Sequence, residues 1–255
     1  MNRLVRHVPN TLTCISLIFG FYASILGMTG NYRGAMIAIF IAAFFDFTDG
    51  LAARLLKAYS DMGKELDSLS DVISFGVAPG MMLFSYLDTL LHNLSWNESW
   101  FCKLLLLSAF AIPVFSALRL AKFNIDTRQK TSFLGLPVPA HAIFWSALIV
   151  AISSATSSHS NFYGILPLIQ LLAYIPTETL IIILSLTAIA TSLLLVTEIP
   201  MFSLKISSFG LKENSLQLIL IISAIIFIIL FGVLGVSATI LLYIFMSVLR
   251  IFNRQ

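Results

Sequence analysis

The sequence predicts an all-α protein that crosses a membrane about eight times around a polar cavity. Three observations predict it. Mean hydropathy is +0.96 and only 11% of residues are charged, a balance that soluble domains do not reach. Apolar runs recur along the 255 residues at lengths of about 20, enough for a helix to cross ~30 Å of hydrocarbon. Against that background Asp46, Asp49, Asp61, Glu65, Asp67 and Asp71, half of all the acidic residues, fall in the single stretch 46–71. Carboxylates near membrane depth mark a functional site by default.

The chain opens with MNRLVRHVP (residues 1–9), whose basic and apolar mixture suits a short segment on an anionic membrane surface or a disordered tail. Arg3, Arg6 and His7 before an apolar run mimic a secretory signal, but the polytopic remainder argues for a retained first span. The spans are placed at 11–28, 34–57, 62–91, 101–121, 136–153, 177–197, 215–232 and 235–251. Residues 160–176 read as a re-entrant or interfacial piece, or as an extension of the sixth span. With no internal repeat or low-complexity linker, one membrane-embedded domain is expected over 1–255.

Basic residues set the orientation. On this span assignment Arg3, Arg6, Arg54, Lys57, Lys64, Arg119, Lys122, Arg128, Lys130, Lys205, Lys212, Arg250 and Arg254 share one side, against Arg33 and Lys103 on the other. The positive-inside bias then puts both termini and the acidic stretch on the cytoplasmic side of the cell (inner) membrane. A net charge of +3 is too small to signal nucleic-acid binding.

Within the spans, several residues stand out. Asn10 and Thr13 open the first span after Pro9, either as an ordinary helix N-terminus or as polar contacts to a nucleotide. Cys14 and Cys102 lack metal-ligand spacing and read as buried free thiols. Gly76, Pro79 and Gly80 in VISFGVAPG allow close helix approach and a proline kink. Arg119 and Lys122, three apart at the end of the fourth span, share a face where cations either snorkel or serve a ligand. Pro139 suits a first helical turn, and His141 reads as structural or interfacial. The last two spans, joined by GVLG, carry no ionisable residue before Arg250 and are expected to pack without chemistry.

The acidic stretch DFTDGLAARLLKAYSDMGKELDSLSD has chemistry in its spacing. Asp46 and Asp49 are i,i+3 and Asp67 and Asp71 are i,i+4, so each pair projects from one helical face. The polar AYSDMG between them predicts a helical hairpin that gathers the four carboxylates. Oxygen ligands without nearby Cys or His suit a hard divalent cation: Mg²⁺, Mn²⁺ or Ca²⁺. Gly50 and Ala53 leave room beside these ligands, and Arg54 adds a cation suited to a diphosphate.

The run Asp46-x2-Asp49-Gly50-x2-Ala53-Arg54-x8-Gly63-x3-Asp67-x3-Asp71 resembles, without departure, the signature of the CDP-alcohol phosphotransferase family. Three further segments resemble its phosphatidylserine synthase branch. SDVISFGVAP follows the motif; LRLAKFN has Lys122 where arginine is usual; GLPVPAHA has His141 as a departure. A weaker likeness in VTEIPMFSLK makes Ser203 and Lys205 candidates for the pocket mouth, with Glu198 as a departure.

The resemblance implies cleavage of CDP-diacylglycerol with release of CMP, assisted by Mg²⁺ or Mn²⁺, two ions in this reading, on Asp46, Asp49, Asp67 and Asp71. It places the CDP-lipid against Asn10, Thr13, Asp49, Gly50, Ala53, Arg54, Gly63 and Asp67, with Asp71 as the base. Its acceptor branch implies L-serine, held by Arg119, Lys122, Phe123 and Asn124. Membrane lipids and a second copy of the chain in a homodimer are the other implied partners. Choline, inositol phosphate or glycerol phosphate stand as alternative acceptors. A cation-coupled transporter is disfavoured because it would carry its carboxylates near the midplane, often on repeated halves.

Overall fold

The computed structural model describes residues 7–94, 99–125, 133–156, 174–202 and 214–252. Its helices are α1 (Val8–Met28), α2 (Tyr32–Leu55), α3 (Asp61–Asp71), α4 (Ala78–His92), α5 (Trp100–Leu107), α6 (Ala111–Ile125), α7 (Val138–Thr156), α8 (Thr177–Val196), α9 (Ser215–Phe231) and α10 (Leu234–Phe252). A π-helical segment, Val72–Val77, joins α3 to α4, and a 3₁₀ turn, Ser108–Phe110, joins α5 to α6. Taken as continuous rods, Val8–Met28, Tyr32–Leu55, Asp61–His92, Trp100–Ile125, Val138–Ala155 and Thr177–Val196 are long and apolar enough to cross a membrane. The two further apolar helices, α9 and α10, follow them, so each expected span falls on a helix. This is a multi-pass membrane protein, and its outer faces agree: Phe21, Phe44, Leu118, Leu186, Ile222 and Phe245 all point outward.

The interior is apolar around Ile39, Phe75, Leu83, Trp145 and Leu184, but polar side chains bind the helices that carry the acidic stretch. Ser16 Oγ donates to Ala42 O on α2 (2.9 Å), Ser70 Oγ to Thr13 O (3.3 Å) and Ser74 Oγ to Ser16 O (3.2 Å). Without a hydrophobic driving force between helices in lipid, such bonds and small-residue contacts do the holding. Helix α1 packs along both α2 and the α3–α4 rod. A Cβ on Gly27 would come 2.8 Å from Met82 Cγ, so α1 and α4 approach nearly backbone to backbone there.

This packing modifies the expected hairpin. The arms α2 and α3 reverse direction through 56–60, with Lys57 at φ 49° and Ser60 Oγ capping α3 by accepting Gly63 N–H at 3.0 Å. Yet they are held chiefly through α1, which packs against both, and not by lying side by side. The carboxylates still meet, because α1 holds both arms at their site ends.

Four other expectations shift. Helix α1 starts at Val8, with His7 at the cap position, so Asn10 lies inside its first turn and caps nothing. Cys14 is exposed on α1, whereas Cys102 is buried as expected. Pro79 sits in the first turn of α4 after the π segment, so the turn before it widens; a proline removes an N–H and crowds the carbonyl four residues earlier. His141 is fully buried, which narrows its reading from structural or interfacial to the first of the two. Residues 1–6, most of 160–176, Ser203 and Lys205 lie outside the described residues.

A two-residue ribbon, β1 (Phe133–Leu134) antiparallel to β2 (Pro200–Met201), ties the start of α7 to the end of α8. Gly135 (φ 76°) donates to Ile199 O at 2.9 Å, and a Cβ there would press on the Thr197 carbonyl, so only glycine fits.

Candidate active site

At one end of the bundle, carboxylate oxygens of Asp46, Asp49 and Asp67 lie within 4.8 Å of one another. Asp46 and Asp49 come from the last turns of α2, and Asp67 from the middle of α3. Asp71, one turn deeper, interacts with Asp46, and its Oδ1 is buried without a hydrogen-bond partner. Among the described residues no cation forms an ion pair with any of the four. Carboxylates this close repel one another when ionised, and their donor set is all oxygen, so they fit a hard divalent cation.

Thr13 completes the first arm. It is 3% exposed, and its Oγ1 donates to Asp49 Oδ2 while lying 3.1 Å from Pro9 O. One hydroxyl proton cannot serve both, and the carboxylate is the stronger acceptor. Thr13 therefore fixes the rotamer of Asp49.

Beside the cluster opens a cavity of about 210 Å³. Of the residues expected at the nucleotide, Asn10, Thr13, Asp49, Gly50, Ala53, Gly63 and Asp67 line it. No atom lies within 4 Å of where a Gly50 Cβ would stand, so this glycine leaves space open and is not required by packing against the protein. A Cβ on Gly63 would come 2.9 Å from Asn10 Oδ1, which accounts for the small residue at that crossing. Arg54 is exposed and does not line the cavity; its Nε donates to Gly50 O at 3.1 Å. Pro9, Ala58, Tyr59, Ser60 and Lys64 also line it and were not anticipated. All but Pro9 occupy unspecified positions of the motif, where only proximity in the folded turn singles them out.

The expected acceptor residues separate. Arg119 is 5% exposed, its guanidinium 5.4 Å from the Phe123 ring and its Nε without a hydrogen-bond partner. Lys122 instead turns to α8, 3.3 Å from Glu198 Oε1 and 3.4 Å from Val196 O. Asn124 Nδ2 donates to Ser68 Oγ at 2.9 Å, and Asn124 O accepts from Lys64 Nζ at 3.2 Å. These contacts hold the end of α6 to α3, the helix bearing Asp67 and Asp71.

The family model for CDP-alcohol phosphatidyltransferase matches residues 6–201, which include every one of these side chains. The chain belongs to this family. Among its relatives is a CDP-diacylglycerol–serine O-phosphatidyltransferase of Bacillus subtilis, 37% identical over 135 residues, 53% of this chain and 71% of that protein. Proteins of the same description from Methanocaldococcus jannaschii (34% over 141 residues) and Helicobacter pylori (36% over 143 residues) match over 59% and 54% of their own lengths. The CDP-alcohol phosphatidyltransferase match ends at Met201, so α9 and α10 lie outside it.

Proposed function

We propose that this protein is a phosphatidyltransferase that makes phosphatidylserine and CMP from CDP-diacylglycerol and L-serine. The observation that carries the reading is the juxtaposition of an unpaired four-carboxylate cluster with a cavity kept open by Gly50 and Ala53, in a chain whose relatives bear that description. A divalent cation of the Mg²⁺ or Mn²⁺ type, two in this proposal, would be held by Asp46, Asp49, Asp67 and Asp71, and when bound supplies the positive charge that polarises the diphosphate.

The protein's own groups do the rest. The cavity takes the cytidine end, with Gly50 and Ala53 letting it approach α2, and Thr13 keeps Asp49 in place. Arg54, exposed at the rim, reaches for phosphate with its remaining N–H groups. Asp71 Oδ1 accepts the proton of the serine hydroxyl; the serine oxygen bonds to the phosphorus attached to diacylglycerol, and the bond from that phosphorus to the bridging oxygen breaks as CMP leaves. Arg119, about half a turn below the level of Asp71, holds the serine carboxylate. Choline would call for an aromatic cage, but the Phe123 ring beside Arg119 is already covered by that guanidinium.

In this proposal the site faces the cytoplasm of the cell membrane, where the basic residues concentrate, and two copies associate, which crosslinking in membranes would test. The activity test uses purified protein, CDP-diacylglycerol in mixed micelles and a panel of serine, choline, glycerol phosphate and inositol phosphate. CMP release with serine alone is the expected result. Release with another acceptor and none with serine would overturn the choice of substrate, and no release with any would overturn the enzyme.

A further inference from the structure

Below the carboxylate cluster the bundle buries polar atoms with no partner among the described residues: Asp71 Oδ1, Ser116 Oγ, Arg119 Nε, His141 Nδ1 and Ser192 Oγ. Ser116, His141 and Ser192 are fully buried and Arg119 is 5% exposed. Such groups are rare in folded proteins because each forfeits its hydration without compensation. Here they come from the α3–α4 rod, α6, α7 and α8, which pack against one another.

Helix register puts them within about a turn and a half of one another. The α3–α4 rod and α6 run antiparallel. A Cβ on Gly76 would stand 3.1 Å from Ser116 Cβ, and Ser68 Oγ is 2.9 Å from Asn124 Nδ2. Interpolating between these pairs places Asp71 level with Ala121, about half a turn above Arg119, with Ser116 about one turn further in. Helix α8 descends in parallel with the α5–α6 rod, with Ser185 Oγ 3.2 Å from Leu105 O on α5 and Lys122 Nζ, near the end of α6, 3.4 Å from Val196 O. Interpolating between these two contacts sets Ser192 beside Ser116. Two turns after Ser185, Ser192 shares the face that Ser185 turns towards this rod. His141 joins through the neighbouring residue: its Nε2 is 3.0 Å from Thr191 Oγ1, and Trp145 Nε1 donates into the same pair. Thr191 and Trp145 thereby fix the ring and leave Nδ1 as the uncommitted nitrogen.

We propose that Ser116, Ser192 and His141 form the inner wall of the acceptor pocket, and that they receive a small zwitterionic amino acid whose carboxylate lies on Arg119. This rests on the proposed serine reading and deepens it. The set offers one cation, two hydroxyls that both donate and accept, one imidazole nitrogen and the Asp71 oxygen. An ammonium, a carboxylate and a hydroxyl on one three-carbon frame can engage all of them. A phosphorylated polyol would bring more negative charge than the single arginine answers, and a quaternary ammonium could donate to none of these acceptors.

The test is CMP release against serine concentration at saturating CDP-diacylglycerol, with CDP affinity measured separately by calorimetry. Ser116→Ala and Ser192→Ala should each raise the serine KM roughly two- to tenfold, the span expected for one neutral hydrogen bond, while CDP affinity stays within about twofold. Ser192→Thr, which keeps the hydroxyl, should recover most of the loss. Ser247→Ala serves as a packing control, since this buried serine bonds only its own helix at Tyr243 O. If the alanine variants fail to accumulate, the near-isosteric Ser116→Cys and Ser192→Cys read the same KM. An unchanged serine KM in these variants, or a fall in CDP affinity without a change in serine KM, overturns the proposal. Wild-type protein that turns over serine while the variants behave normally sinks this inference alone. Wild-type protein with no serine-dependent CMP release sinks the proposed function and this inference together.

Discussion

Replacing Thr13 by valine isolates one hydrogen bond at the heart of the cluster. Valine keeps the shape of threonine, so at a position 3% exposed the packing of α1 on α2 should survive. What disappears is the donor from Thr13 Oγ1 to Asp49 Oδ2. A hydrogen bond to a charged group contributes about 1.5–3 kcal/mol, and about 1.4 kcal/mol is a tenfold change in an equilibrium constant. The expected loss in divalent-cation affinity is therefore roughly ten- to a hundredfold. The assay is Mn²⁺ binding to the purified protein without substrate, followed by electron paramagnetic resonance of the free ion. Thr13→Ser should bind within a few-fold of wild type. If Thr13→Val binds Mn²⁺ as tightly as wild type, the argument fails. If in addition its CDP affinity falls, Thr13 is a nucleotide contact and not a support for Asp49.

Asn substitution at Asp46, Asp49, Asp67 or Asp71 should leave membrane insertion intact and bring CMP release close to zero, and chelation of wild-type protein should do the same until Mg²⁺ or Mn²⁺ is restored; full activity in excess EDTA would end the metal reading. Gly50→Leu should fold normally, because nothing lies within 4 Å of its Cβ position, yet lose CDP affinity by filling the cavity; unchanged affinity would move the nucleotide elsewhere. Arg119→Ala should raise the serine KM roughly ten- to a hundredfold, the cost of one charge-assisted hydrogen bond, and should do so more than Lys122→Ala. Lys122 is already paired with Glu198 in a partly exposed bridge of a kind that contributes about 0–1 kcal/mol, so Lys122→Arg should be tolerated; equal losses at Arg119 and Lys122 would contradict this division. Reporters fused after Gln255 and near Arg128 should read cytoplasmic and one near Asn97 external, and an external C-terminus would mean a miscounted span.

The sequence by itself determined the class of the fold and the heart of the site. Apolar runs of membrane length are local features, and nothing in the remaining chain can move them into water, so the spans from 11–28 to 235–251 coincide with helices. The carboxylates were equally legible, because i,i+3 and i,i+4 spacing fixes a shared face inside one helix whatever surrounds it. Tertiary structure decided which partners the polar side chains find. Thr13 and Asn10 read alike as polar residues at a helix start, and only the packing of α1 on α2 gives the Thr13 hydroxyl to Asp49. Arg119 and Lys122 read as one cationic pair, until the descent of α8 beside α6 brings Glu198 to Lys122 and leaves Arg119 buried and uncommitted. Ser116, Ser192 and His141 carried no signal as a group, being ordinary small or isolated residues on three different helices. Their place below Asp71 depends on interhelical register, which is set by side-chain packing between segments far apart in the chain and is written in no single stretch of it.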